Sequence, residues 1–349
     1  MAHQIIEGRN GFARDHAETQ RNDMAQSSPS VLIIRLDAIG DALALGPLLA
    51  ALGSANIPID LVLRRENFDA FAPSATRASF EAPFALRSNA RADLRAIDQF
   101  GEELRQRKYS HVLVATEDPG GYRLARAVGA PHRIGFDNGW GKPFKSLWVR
   151  SMLTQTLHRS AALDARAPHE CEVLFALGQS LLPGAVPTRD IAELRPLVIE
   201  HDVAPDARVA VQITDKWQRL GIDIDEVAAL LTDLASSMPI RVIASDRESA
   251  YADRIRHRTG IDPTLFATTP EWKAAIAAAR VIVAPDSGAL HVAGMTGTPT
   301  VAIFPPSKDF DLQVARWSPW AAPVRIVKAD RGWVARVRDA LTAQGNLRP

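Results

Sequence analysis

The stretch Val281-Ile-Val-Ala-Pro-Asp-Ser-Gly-Ala-Leu-His291 decides the fold; small and apolar residues follow it to Gly297-Thr-Pro299, and then comes Thr300-Val-Ala-Ile-Phe304. A β-branched run leading into Asp286-Ser287-Gly288, a short apolar helix and a second β-branched run predict strand, tight turn, helix, turn, strand. That is a βαβ unit, the building block of a parallel α/β sheet. Asp286 or Ser287 can cap the helix, and Gly288, lacking a Cβ, lets the backbone come close to a ligand. The first-turn amides of such a helix point outward with the dipole behind them, which favours an anion such as a phosphate. An ordinary capped helix in an α/β protein has the same pattern. A carboxylate aimed at a phosphate would repel it, so Asp286 is expected to cap amides or to face a sugar hydroxyl.

The whole chain is long enough for two such units. Its 349 residues exceed one ordinary core, and its 46% hydrophobic content supplies two. With 41 basic and 40 acidic residues the net charge is +1, which gives no polyanion signal and no reason to expect nucleic acid. A single cysteine, Cys171, excludes an internal disulfide and a cysteine-based zinc site and suits a reducing cytoplasm. No apolar run reaches the roughly 18 residues needed to span a bilayer, and the N-terminus lacks the apolar core of a signal peptide. The expectation is a soluble, cytoplasmic protein. Residues 1–29 are polar and without a sustained period, so they are expected to be a disordered tail, with Met24 as a second candidate start.

The N-terminal half, 30–182, opens with Val31–Leu36, a buried strand by its β-branched content, and continues through Asp37-Ala-Ile-Gly40-Asp41 into a helix expected over Ala42–Leu52. Gly40 allows a sharp turn. Asp41 falls in the first helical turn at the carboxyl end of the strand, the edge where open α/β sheets bind ligands. It can be a helix cap or a working carboxylate, and Asp37 is a second carboxylate close by. Strands are expected at Ile59–Leu63 and His111–Ala115 with a helix between Ala92 and Lys108, a doubly wound alternation. From Gly120 to Ser160, Arg123, Arg126, Arg133, Lys142, Lys145, Arg150 and Arg159 face one acid, Asp137. Interleaved Gly, Pro and Trp140 predict mostly loop there. The charge is either a solvated surface or a landing place for an anionic acceptor near a membrane.

A helical period over His169–Leu177 leads into Leu182-Pro-Gly-Ala-Val-Pro-Thr188, the expected interdomain linker, and the second domain is expected over 183–349. That half restarts with the strand Arg208–Ile213, then Thr214-Asp215-Lys216-Trp217, a helix over Asp223–Ser236 and a strand at Ile240–Ala244. Lys216 lies on the same carboxyl edge as Asp286 and Ser287, where its compact charge can neutralise a phosphate. Asp246, after the next strand, can hold a ribose hydroxyl or merely cap. No Gly-x-Gly-x-x-Gly follows a strand, which argues against a dehydrogenase.

Arg35-Leu-Asp-Ala-Ile-Gly-Asp41 with Pro47-Leu-Leu, together with Pro285-Asp-Ser-Gly-Ala-Leu-His291, Gly297-Thr-Pro-Thr-Val-Ala-Ile-Phe304 and Trp317-Ser-Pro-Trp320, resembles the glycosyltransferase family nine heptosyltransferases. The resemblance runs from Val31 to the C-terminus, and two separated motifs in the correct order are far more specific than either alone. It implies an α/β fold of the GT-B type, two Rossmann-like domains facing across a cleft, with the acceptor on the first and the donor on the second. It implies an inverting transfer of heptose from ADP-heptose to a lipopolysaccharide inner-core acceptor, with no metal and no cofactor beyond the nucleotide sugar. By position Asp41 matches the general base and Lys216, after Thr214, the lysine on the donor phosphates. Asp286, Ser287, Gly288, Ala289, Leu290 and His291 match the turn and helix start on the diphosphate. Asp246 matches an acidic ribose contact, and Ala267 and Thr268 fall near the adenine edge. On the acceptor side the expectation rests on Asp37, Gly40, Arg123 and Arg133, with an anionic glycolipid as partner and a peripheral contact at the cytoplasmic face of the inner membrane.

The chain departs from the family pattern at Asp37, where a small residue or hydroxyl is common, at Thr269-Pro-Glu-Trp272 and at Pro305-Pro-Ser-Lys308. A second carboxylate beside Asp41 would raise one pKa. Two other classes stay open: an enzyme of the same fold using a UDP or GDP sugar or acting as an epimerase, and a non-catalytic nucleotide- or glycan-binding protein.

Overall fold

The computed structural model describes residues 29–159 and 168–345. Apart from its last residue, the tail expected over 1–29 lies outside them. Each half builds one six-stranded parallel sheet. The first contains β1 (Val31–Ile34), β2 (Ile59–Leu63), β3 (Ala78–Glu81), β4 (His111–Val114), β5 (His132–Asp137) and β6 (Gln155–His158), in the order β3-β2-β1-β4-β5-β6. The second contains β7 (Asp206–Gln212), β8 (Ile240–Ser245), β9 (Thr264–Phe266), β10 (Ala279–Pro285), β11 (Thr300–Phe304) and β12 (Val324–Lys328), in the order β12-β11-β10-β7-β8-β9. The expected two-domain, doubly wound α/β architecture is borne out. Strand order reverses between β1 and β4 in one sheet and between β7 and β10 in the other. Ligands of such sheets bind at these switch points, outside the carboxyl ends of the strands.

The helices are α1 (Ile39–Leu43), α2 (Gly46–Ser54), α3 (Arg91–Arg105), α4 (Pro119–Val128), α5 (Pro143–Met152), α6 (Glu170–Phe175) and α7 (Ile191–Leu194) in the first half and its exit. The second half has α8 (Lys216–Arg219), α9 (Ile224–Ser237), α10 (Ser249–Thr259), α11 (Thr269–Ala278), α12 (Gly288–Thr296), α13 (Phe310–Trp317) and α14 (Trp333–Gly345). Helices cover both sheet faces, so β1 (Val-Leu-Ile-Ile) and β11 (Thr-Val-Ala-Ile-Phe) are buried at every position, which suits their lack of polar alternation.

Two sequence expectations are corrected. The single helix over Ala42–Leu52 is two pieces, because Pro47 has no N–H and its ring excludes the carbonyl of Leu43; the chain breaks at Ala44–Leu45 and restarts with Pro47 in the first turn of α2. The loop expected from Gly120 to Ser160 is instead α4, β5, α5 and β6. Its prolines and glycines are terminators rather than breakers: Pro119 and Pro143 open their helices, and Gly129, at φ 71°, closes α4 in the left-handed conformation.

One apolar core is shared by the domains. It runs from Ile33 and Leu45 through Leu48 and Leu174 to Val292, Met295 and Ala302, so α2, α6 and α12 are packed together between the sheets. Separate clusters fill the outer face of each sheet. After the expected linker, Arg189 lies 3.7 Å above the Trp320 ring and donates to the Trp320 carbonyl (2.6 Å), while Trp320 Nε1 donates to the Thr188 carbonyl (2.7 Å). These contacts fasten the end of the linker to the segment after α13.

Candidate active site between the two sheets

A cleft of about 680 Å³ opens between the carboxyl edges of the two sheets, a size typical of small-molecule sites. Its first wall follows β1. Arg35, the residue after the strand, is buried, and a buried guanidinium needs partners. Its Nε donates to the Asp41 carbonyl (3.1 Å), and its ends face Asp37 (3.3 Å), Asp41 (3.7 Å) and Glu170 (3.7 Å). Glu170, on α6 and fully buried, also takes Arg159 (3.1 Å) and Arg316 of α13 (2.5 Å). Arg35, Arg159 and Arg316 thus meet around Glu170, and the network joins the loop after β1 of one domain to a helix of the other.

Asp41 sits in the first turn of α1 and lines the cleft. Burial raises its pKa; Arg35 opposes this, the charges of Asp37 and Glu170 add to it, and Lys216 opposes from across the cleft. Asp37 itself is not among the cleft-lining residues. Its side chain pairs with Arg35 and its carbonyl accepts from Asn67 (2.7 Å).

The second wall follows β7, β8 and β10. Lys216 opens α8, and Thr214 just before it donates to Glu248 (2.8 Å), which also accepts from the Asp215 amide (3.1 Å). Asp246 opens the turn that carries Glu248, and both line the cleft. Asp286 is largely buried; burial raises its pKa, Lys216 opposes and Asp41 adds. Asp41, Lys216 and Asp286 therefore feel one another across the cleft. Neither Asp286 nor Ser287 caps α12 through its side chain, contrary to the sequence expectation. The Ser287 hydroxyl is buried with no hydrogen-bond partner while its residue lines the cleft, an unmet donor of the kind a ligand satisfies.

Gly288 and Ala289 line the cleft at the start of α12. Leu290 does not: it is fully buried and its amide donates to the Ser287 carbonyl (3.1 Å). Gly288 has a second task besides ligand approach. A Cβ there would lie 2.8 Å from the Ile39 side chain, and one on Gly40 would lie 3.3 Å from the Gly288 Cα and 2.5 Å from His291 Cδ2. The missing Cβ atoms let α1 and α12 touch, so Gly40 serves the close approach rather than a turn. His291, packed edge-on to Trp317 at 6.0 Å, is pushed down to about 3 by burial, with the charges of His169, Lys216 and Arg35 adding. It is neutral at physiological pH.

Ala267 and Thr268 follow β9 and line the cleft. The Thr268 hydroxyl caps α11 by accepting from the Glu271 amide (3.4 Å) and donates to the Glu271 carboxylate (2.9 Å), leaving backbone groups for a ligand. The unusual Thr269-Pro-Glu-Trp272 forms the first turn of that helix, and Trp272 turns its Nε1 to Gln212 (2.7 Å), both residues lining the cleft. Arg123 and Arg133 lie elsewhere. Arg123 binds Asn89 (3.0 Å), and Arg133 binds the carbonyls of Ala130 (2.7 Å) and Met152 (3.1 Å). Arg65, Glu66, Phe68, Asp69 and Glu81 supply the outer part of the N-terminal wall instead. Sequence reasoning missed these, and also Glu248, Trp272 and the Arg35–Glu170 network. A lone arginine ending an apolar strand was the one signal for the last.

Residues 237–343 match the family model described as glycosyltransferase family 9 (heptosyltransferase). This bears out the family resemblance and the glycosyltransferase reading drawn from it. Among solved structures the chain is similar to a glycosyl transferase family 9 protein from Veillonella parvula, at 14% identity and TM-score 0.67, covering 90% of this chain and 97% of that one. It is similar to E. coli ADP-heptose lps heptosyltransferase II, at 17% identity and TM-score 0.66, covering 90% and 98%. It is also similar to E. coli heptosyltransferase WaaC with ADP, at 17% identity and TM-score 0.66, covering 90% and 99%. At these identities the likeness establishes the shared two-domain fold. Among curated proteins none matches the chain by sequence.

Proposed function

We propose that this chain is an inverting, metal-independent glycosyltransferase that moves a heptose from ADP-heptose to a hydroxyl of an anionic glycolipid of the lipopolysaccharide inner-core type. The observation that carries this reading is the meeting of Asp41, from one switch point, with Lys216 and the first turn of α12, from the other. Asp41 takes the proton from the acceptor hydroxyl as its oxygen attacks the anomeric carbon, and a carboxylate with a raised pKa is a better base for that step. The bond to the diphosphate breaks on the opposite face, which inverts the centre.

The departing ADP gathers negative charge. Lys216, the Ser287 hydroxyl and the outward amides at the start of α12 neutralise it, so the site's fixed dipoles do the work of charge stabilisation. Asp246 and Glu248 lie where a ribose hydroxyl can be accepted, and Phe266 with Trp272 offers apolar surface to a base. The similar E. coli structure that contains ADP supports the choice of nucleotide.

Isothermal titration with ADP, UDP and GDP tests the donor half of the reading. Clear preference for ADP, lost in Lys216→Ala, is expected. Preference for UDP or GDP would keep the fold and change the donor, and absence of binding to all three would leave a non-catalytic protein.

A further inference from the structure

We propose that Trp140, Phe144 and Leu147 form a membrane-docking face that seats the protein on an anionic lipid leaflet. Their exposures of 95%, 88% and 71% make them the most exposed large apolar side chains in the first domain, and three of five such residues named among the described ones fall within eight positions. Trp140 sits in the turn Gly139–Gly141 after β5, and Phe144 and Leu147 lie three apart on α5, on one side of it. The opposite side of α5 is packed: Val149 is fully buried and Trp148 meets Tyr122 edge-on at 6.0 Å.

The exposure is built in rather than a fray. The Ser146 hydroxyl donates to the Gly139 carbonyl (3.1 Å) and accepts from the Asn138 amide (3.1 Å), tying the turn to the helix. A fastened turn that presents a tryptophan to solvent loses free energy in water and regains it at an interface, where aromatic rings and leucine are enriched.

Charge selects the occupant. Of the seven Lys and Arg in 120–160, Arg123, Arg133, Lys145, Arg150 and Arg159 bind neighbours within the domain, while Arg126 and Lys142 are exposed. The one acid of the segment, Asp137, is buried and bound to Arg150 (2.8 Å) and Thr156 (2.8 Å), so it presents no negative charge to a leaflet. Lys142, exposed between Trp140 and Phe144, can reach past the apolar side chains to headgroups. A second copy of this chain fits less well, since a two-fold contact would bring the exposed Lys142 of both copies into the same apolar patch.

Position gives the face a purpose. The turn leaves the carboxyl end of β5, two strands from β1 on the same sheet edge as Asp41. Lys145 of α5 binds Glu117 (2.7 Å), which also faces Arg159 (3.7 Å), and Arg159 binds Glu170. Docking here would hold the acceptor side of the cleft toward the bilayer, so that an amphiphile can be presented without leaving it. The proposal does not depend on the sugar transferred or on activity.

Sedimentation of the full chain with vesicles of phosphatidylcholine alone, or mixed with phosphatidylglycerol, tests it. Sedimentation with the mixed vesicles, weakened by salt, is expected. Each apolar side chain lost in Trp140→Ser, Phe144→Ser and Leu147→Ser is expected to weaken partition about tenfold, with the melting temperature and ADP affinity unchanged because these side chains are exposed. Failure of the native chain to sediment with anionic vesicles, or equal sedimentation of the triple variant, would overturn the proposal. So would a dimer in sedimentation velocity without lipid that the triple variant abolishes, which would make the face a self-contact.

Discussion

Gly40→Ala is the smallest change that should separate donor binding from transfer. Its Cβ would stand 2.5 Å from His291 Cδ2, where carbon atoms ordinarily keep about 3.5–4.0 Å. The ring cannot yield cheaply, being buried and packed on Trp317. About 1 Å of relief must come from α1 moving off α12, and overpacking of this kind costs about 1–3 kcal/mol. Because α1 belongs to the first domain and α12 to the second, the cost falls on the contact between the domains that brings Asp41 to the donor wall. If that cost is incurred on reaching the reacting geometry, kcat/KM should drop roughly 5- to 150-fold. In the proposed site ADP lies against the second domain, so its affinity should change little. Steady-state ADP release and calorimetric ADP binding, measured on the same preparation, give the two readouts. Adding His291→Ala should restore part of the rate, since the clashing atoms are then gone. An unchanged rate in Gly40→Ala, or a loss of ADP affinity equal to the loss of rate, would refute the reasoning.

His291 makes stability acid-sensitive. Its pKa falls from 6.5 to about 3, so the stability it contributes is complete well above pH 6.5 and lost as pH falls toward 3; between pH 6.5 and 4.5 the loss is about 2 kcal/mol. Denaturant titrations at several pH values should show that slope in the native chain and a shallower one in His291→Asn; parallel curves would dismiss it. Lys273, on the buried side of α11 and donating to the Ala70 carbonyl of the other domain (3.1 Å), has its pKa lowered to about 8 by burial. Its charge is held at a cost, so stability should rise between pH 8 and 10.5 by up to about 3 kcal/mol, and Lys273→Met should flatten that rise. Glu170→Gln leaves Arg35, Arg159 and Arg316 short of a buried counter-charge and should cost about 3 kcal/mol or more in unfolding free energy. It also removes a charge that raises Asp41, so the acid limb of the rate profile should move to lower pH; a limb that stays put would detach Glu170 from the base.

What could be read from the sequence was local. Period and β-branching marked β1, β2, β10 and β11, and placing Asp41, Lys216 and Asp286 at strand ends was enough to bring them to the two switch points. Position alone could not show what a glycine faces. Gly40 and Gly288 read as turn and ligand-approach residues, whereas their missing Cβ atoms make room for the other domain. Nor does local pattern distinguish a proline that opens a helix from one that ends it, which is why α4 and α5 were expected as loop. The Glu170–Arg316 pair spans 146 positions, and the Lys273 contact with Ala70 spans 203. Only the docking of the two domains creates them. Arg123 and Arg133 were chosen for charge, and their neighbours on α4 to β6 already use them.

In the proposed reaction a carboxylate from one domain deprotonates an acceptor held against a donor in the other. Asp41→Asn, nearly isosteric and unable to take the proton, isolates it. With ADP-heptose and a lipopolysaccharide inner-core acceptor, the native chain should release ADP in step with acceptor glycosylation. The variant should lose about 10²-fold or more in kcat while binding ADP as before. Transfer by Asp41→Asn at the native rate would contradict the account.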